Sequence, residues 1–237
     1  MRQNGIESTR SESCGAAERF QMSLLAPLRA LVTKVIEAEE NQSVFDRNPI
    51  EKLFVQVFAY WSEIHACRNS LGLVLKLVGR PPDKRLKTTH SEYLRFCIES
   101  YFAEVYRLQE RLATCGTKLS RKYGIDKRWT NDLIKLVREI LQDLTTARSK
   151  FVHESRFDDP RILEAEGLEL LSSHPEIVGD SALYIKIATR RLRAVRNQWT
   201  ERLEKSNVRI DELLDLFFFF LDGIVFDENG KLKAPNS

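Results

Sequence analysis

An arginine and a histidine stand five positions apart in Arg148-Ser149-Lys150-Phe151-Val152-His153. These two residue types can cut RNA without a metal. A neutral imidazole accepts the proton of a ribose 2′-hydroxyl, and an imidazolium protonates the leaving 5′-oxygen. A guanidinium holds the phosphate and offsets the charge that builds up in the transition state. The product would end in a 2′,3′-cyclic phosphate, and DNA, which lacks the 2′-hydroxyl, would be inert.

The spacing alone is common. With four histidines in 237 residues, about one accidental match of Arg five to seven positions before His is expected. A second match is present, Arg85-Leu86-Lys87-Thr88-Thr89-His90, in a segment that reads as loop. Position separates the two. Arg148 falls seven residues after Leu141 and fourteen after Ile134, on the flank of an apolar helical stripe. An unpaired guanidinium there is costly, so an acidic partner, a bound phosphate or a second subunit is implied. His153 lies about 140° around an ideal helix from Arg148. The pair converges only if the helix ends near His153 or a symmetry-related chain supplies the other half. The competing reading is structural: Arg148 pairs with a buried carboxylate, and His153 sits at the negative pole of a helix.

The elements that must position this pair are helices. Residues 1–19 read as a flexible tail. A helical pattern runs from Phe20 to about Asn41 through Leu24, Leu28, Leu31 and Val35, with Pro27 marking a kink or a late start. Asn48-Pro49 is a start signal for a stripe through Ile50, Phe54, Val57, Trp61, Ile64, Arg68, Leu71, Leu75 and Val78. Gly79 to Pro82 stop it, and 83–90 form a basic loop. Ser91 is the expected cap of a long helix through Leu94, Ile98, Tyr101, Val105, Leu108, Leu112, Cys115 and Leu119, with Gly124 as its stop. Thr130 is the expected cap of the next, through Leu133, Val137, Ile140, Leu144, Ala147 and Phe151. Asp158-Asp159-Pro160 break that pattern ahead of a short helix over 161–171. Asp180 caps another through Ile185, Ala188, Leu192, Val195 and Trp199, and 208–224 form a last apolar segment. Steps of four and three with short connections, and no sustained alternation, predict an all-α, up-and-down helical bundle. The expected domain spans 20–206, and 207–237 form a C-terminal apolar helix and loose tail.

Composition bounds the rest. Hydrophobic residues are 43% and charged residues 30%, the balance of a globular chain. No apolar run reaches the roughly 20 residues of a membrane span, and the N-terminus does not read as a signal peptide. Cys14, Cys67, Cys97 and Cys115 form no CxxC pair, so neither zinc nor a disulfide framework is expected and a cytoplasmic setting is the default. The net charge of +3 is uneven. Residues 80–128 hold twelve Lys and Arg against six Asp and Glu, and residues 186–209 hold eight against two. Two segments of +6 leave the remainder at −9. Such segments suit a polyanion, and equally suit ordinary solvated helix faces.

Four further sets of residues are considered. Arg68 interrupts its stripe beside His65 and Asn69, as a phosphate contact near the site or as one half of a structural ion pair. Tyr106 and Tyr101 could each stack a base, though Tyr101 lies on the seam and reads as core. Glu154 could orient a histidine or stand solvated. Phe217 to Phe220 read as a dimer surface, a core face, or both.

With Tyr101-Phe102-Ala103-Glu104-Val105-Tyr106-Arg107-Leu108-Gln109-Glu110-Arg111 on one helix and Ala147-Arg148-Ser149-Lys150-Phe151-Val152-His153-Glu154 ending the next, the chain resembles the HEPN superfamily. Those helical bundles are defined by Arg, four to six residues, then His, and the likeness extends over about residues 45–205. It implies a metal-independent endoribonuclease that needs no cofactor, acts on RNA or a nucleotide, and is often a homodimer with the site at the interface. It also implies a toxin–antitoxin or antiphage setting beside an antitoxin-like protein partner. Carried across, Arg148 positions phosphate and His153 is the acid/base or phosphate-contacting residue. Ser149 stands where active members often carry Asn, Asp or His, and retains a hydroxyl that can bond a phosphate. Ser155 stands where some toxin members carry a Tyr modified by a nucleotidyltransferase antitoxin, so that control is not expected. The alternative is a non-catalytic module that binds RNA, nucleotide or a protein through the same pocket.

Overall fold

A computed structural model describes residues 15–153 and 159–235, with the side chains of 147–153 left out. Seven helices account for the described residues: α1 (Ala16–Glu40), α2 (Pro49–Val78), α3 (His90–Lys122), α4 (Lys127–His153), α5 (Pro160–Ser172), α6 (Pro175–Val178) and α7 (Ser181–Val225). No strand occurs among them; an isolated antiparallel bridge pairs Phe226 with Leu232. The all-α expectation is met. No helix of the described residues is long and apolar enough to cross a membrane.

Helix starts follow local chemistry. Asn48 and Glu51 close a reciprocal capping box with Pro49 in the first turn, satisfying donors that a helix N-terminus otherwise leaves open. Thr89 and Glu92 do the same for α3, so Thr89 caps this helix and the expected Ser91 does not. Ser91 is freed for another bond: its Oγ donates to Glu169 Oε2 at 2.5 Å, and the same carboxylate accepts from the backbone N of His90 and Ser91. A carboxylate from α5 thus sits at the positive end of α3. Thr130 likewise lies inside α4. Asp126 starts that helix, accepting from Arg128 N at 2.8 Å and Thr130 N at 3.3 Å. Gly124, at φ +66°, turns the chain between α3 and α4 in the left-handed region that suits glycine.

Two other boundaries differ from expectation. The expected tail of 1–19 lies outside the described residues through 14, and α1 already begins at Ala16. Its first turn is held by α7: Ala17 N donates to Asp215 Oδ1 at 3.0 Å. A Cβ on Gly15 would stand 2.8 Å from that oxygen, which explains a glycine there. The helix runs through Pro27. The expected division at 206/207 falls inside α7, one helix of 45 residues, roughly 67 Å long at 1.5 Å per residue.

α2, α3 and α4 run antiparallel in succession. Lys122 reaches Gln56 on α2 and Arg111 pairs with Glu63 at 3.1 Å, while Gly116 packs against Leu133 of α4. α7 lies along the bundle and touches α1, α2, α3, α4 and α5. All eight apolar positions of the expected α3 stripe are at most 2% exposed. That burial is the main favourable term, at about 25 cal/mol per Å² of apolar surface. Phe217 and Phe218 are core, whereas Phe219 is 58% exposed and Phe220 packs on Trp129. The four-phenylalanine run therefore faces both ways.

Candidate functional site

α4 is amphipathic, and its apolar line sets where the candidate residues fall. Leu133, Val137, Leu141 and Leu144 are buried. Seven residues turn an ideal helix about 20° short of two full turns, so position 148 continues the line through Ile134 and Leu141. Arg148, Ser149 and His153 lie on this one continuous helix. Their positions on it keep Arg148 and His153 about 140° apart, so one copy of the helix does not set them on a common face. The Gly116–Leu133 packing fixes the register of α3 on α4. It sets position 148 at about the level of Tyr101 and position 143 at about the level of Tyr106. Tyr106 is half-buried on α3, about 7 Å along the axis from Arg148. Glu154 and Ser155 lie outside the described residues.

A groove runs beside the second half of α4. Asp143 and Leu144 form one wall, and Gln198, Glu201, Arg202, Lys205, Ser206 and Arg209 of α7 form the other. Three cations against two carboxylates line it, drawn from the basic segment at 186–209. Arg202 lies over the Trp199 ring at 4.9 Å from its centroid, a cation–π contact that holds the guanidinium at the groove. Lys205 pairs with Glu201 at 2.7 Å, an exposed pair of little energetic weight.

Asp159 organises the floor of this region. Its Oδ2 accepts from Trp199 Nε1 at 2.9 Å and from Arg161 Nη2 at 2.7 Å, while Oδ1 accepts from Arg161 N at 3.0 Å to cap α5. Burial alone would raise the Asp159 carboxyl. The hydrogen bonds from Arg161 and Trp199 outweigh it and hold the group below its usual value. Arg161 also bonds Gln198 of the groove. In the sequence Asp159 reads only as part of a helix break and Trp199 only as a stripe residue, and Arg202 is not singled out, although Asp before Pro160 is a cap signal and Trp199 and Arg202 share a face at i, i+3.

Arg68 sits elsewhere. Its guanidinium makes a two-pronged pair with Asp211 of α7, through Nε to Oδ1 and through Nη2 to Oδ2 at 2.7 Å. This ion pair accounts for the interruption in the α2 stripe and raises the Arg68 pKa. Arg68 lines a separate groove between α1, α2 and α7 with Trp61, His65 and Asp215, where His65 stacks on Trp61 at 4.9 Å. Tyr101 is fully buried and donates to Asn207 Oδ1 at 2.8 Å, a core residue and not a base platform. Of the second Arg-to-His match, His90 opens α3 with its backbone N on Glu169.

No family model, curated protein or solved structure matches this chain.

Proposed function

We propose that this chain is a HEPN-like, metal-independent endoribonuclease whose Arg148 and His153 act on RNA phosphodiesters. The observation that supports the reading is that both positions continue α4 one turn and more beyond Asp143 and Leu144, its wall of a groove lined across α7 by Arg202, Lys205 and Arg209. The groove cations track the phosphate backbone, and Arg148 holds the phosphate under attack. A neutral His153 takes the 2′-hydroxyl proton and the 2′-oxygen attacks phosphorus. The bond to the 5′-oxygen breaks, and that oxygen takes a proton from an imidazolium, leaving a 2′,3′-cyclic phosphate. The 140° between the two positions favours a homodimer, in which Arg148 of one copy faces His153 of the other and two histidines divide the base and acid roles. A toxin or antiphage role, held in check by an antitoxin-like partner, is the setting this chemistry suits.

The test is an EDTA-treated cleavage assay on mixed RNA with wild type and His153→Ala. The expected outcome is cleavage by wild type alone, a loss of at least about 10²-fold in the variant, cyclic-phosphate ends and unchanged thermal melting. Loss of wild-type cleavage in EDTA would sink the metal-free mechanism. RNA binding that depends on Arg148 without any product would instead support the non-catalytic module, which the serine at 149 favours.

A further inference from the structure

Arg196 on α7 is 7% exposed. Among the described residues its Nε and Nη2 are buried with no hydrogen-bond partner. Other arginines drawn into the bundle have a carboxylate: buried Arg95 has Glu166 and half-buried Arg68 has Asp211. The groups that act on Arg196 are instead the Tyr93 phenol and Cys97 thiol of α3 and the Arg193 guanidinium, and burial pushes its pKa below the ordinary value. A guanidinium taken from water without an anion is costly.

Its surroundings carry the donors of an anion site. Thr200, one turn along α7, has an Oγ1 that is also buried and unpartnered. The end of α2 closes over this hydroxyl: a Cβ on Gly79 would stand 3.8 Å from it. The next residue, Arg80, is exposed, and its charge acts on the same Tyr93 phenol as that of Arg196. The two basic segments of the sequence therefore meet here, Arg80 from the first and Arg193 and Arg196 from the second.

We propose that Arg196, Thr200 and Arg80 form a phosphate-binding site at the junction of α2, α3 and α7. A phosphate fits the donor set: the planar guanidinium takes two oxygens side by side, Thr200 donates its hydroxyl, and Arg80 adds charge from the solvent side. The ligand is a phosphate group, either the free ion or the phosphate of a mononucleotide.

Thermal melting of the full chain in sodium phosphate against sodium chloride at matched ionic strength tests this. Binding to the folded state raises the midpoint in proportion to the logarithm of ligand over Kd. Wild type should show a phosphate-specific rise that keeps growing with the logarithm of phosphate concentration. Arg196→Met should melt in chloride no lower than wild type and show no such rise. Arg80→Gln, at an exposed position that does not threaten folding, should weaken apparent phosphate affinity about tenfold. His153→Ala should keep the full response, so the site stands or falls apart from the ribonuclease reading. AMP acting at lower concentration than phosphate, with adenosine inert, would identify a nucleotide; equal potency would identify the free ion. A wild type without a phosphate-specific rise, or a rise undiminished in both Arg196→Met and Arg80→Gln, would overturn the proposal.

Discussion

Asp159 shows how one carboxylate joins the end of one helix to the face of another. It caps α5, holds the Trp199 indole and clamps Arg161, and Trp199 in turn carries Arg202 at the groove. Its lowered folded pKa gives the sign of its pH dependence. The stabilisation is full above the unfolded value, near 3.8, and is lost as pH falls through the lower folded value. Asp159→Asn retains a capping side chain but gives up the charge. It should cost about 1–3 kcal/mol at neutral pH, measured by urea unfolding. The gap to wild type should stay constant down to about pH 4 and close below it. A gap that stays open down to pH 2 would show that the charge is not what stabilises. The Arg148–His153 spacing was legible in the sequence because it is local. This anchor was not, because its members lie 40 residues apart and meet only when α5 packs on α7.

At the scale of the element, legibility followed the apolar period. The stripe of α3 could be read whole, since every fourth or third residue is apolar and every one is buried. α7 read as two segments because Asn207 takes a seam position between Leu203 and Ile210. A polar residue there breaks the pattern but not the helix: Asn207 is 7% exposed and accepts the Tyr101 hydroxyl. The expected caps of α3 and α4 lie two and four residues past the observed ones, as Thr89 and Asp126 precede equally plausible hydroxyls. Continuity of α7 has a measurable consequence. Amides across 203–211 should exchange as slowly as those of its flanks, close to the rate of global opening. Fast exchange confined to 205–208 would mean a hinge, and would restore the division at 206/207.

For the molecule as a whole, a net charge of +3 conceals a polarised surface. Arg202, Lys205 and Arg209 outnumber Asp143 and Glu201 in the α4–α7 groove, while Glu18, Asp211 and Asp215 outnumber Arg68 in the groove between α1, α2 and α7. Binding of RNA along the basic side should weaken steeply with salt, by a slope of about 0.7 per phosphate contact for single strands. Replacing Arg202, Lys205 and Arg209 together by Gln should flatten a plot of log affinity against log salt by about 2. Circular dichroism should not change, because all three side chains are exposed. An unchanged slope would move the RNA path off this groove.

The pairing of α1 with α7 has a consequence for how the chain is made. Ala17 bonds Asp215, 198 residues away, and Phe20 packs on Phe218 and Phe226 at 4.9 and 5.3 Å. During synthesis α1 leaves the ribosome ahead of α7 and waits for a partner that is translated roughly 200 residues later. At about 5–20 residues per second, its apolar face stays uncovered for roughly 10–40 seconds. The α2–α3–α4 layer can form in that interval from neighbouring segments, but the core closes only when α7 has emerged. The nascent chain therefore presents the α1 face, with Phe20, Leu24 and Leu31, as a natural hold for a chaperone until translation reaches the phenylalanines.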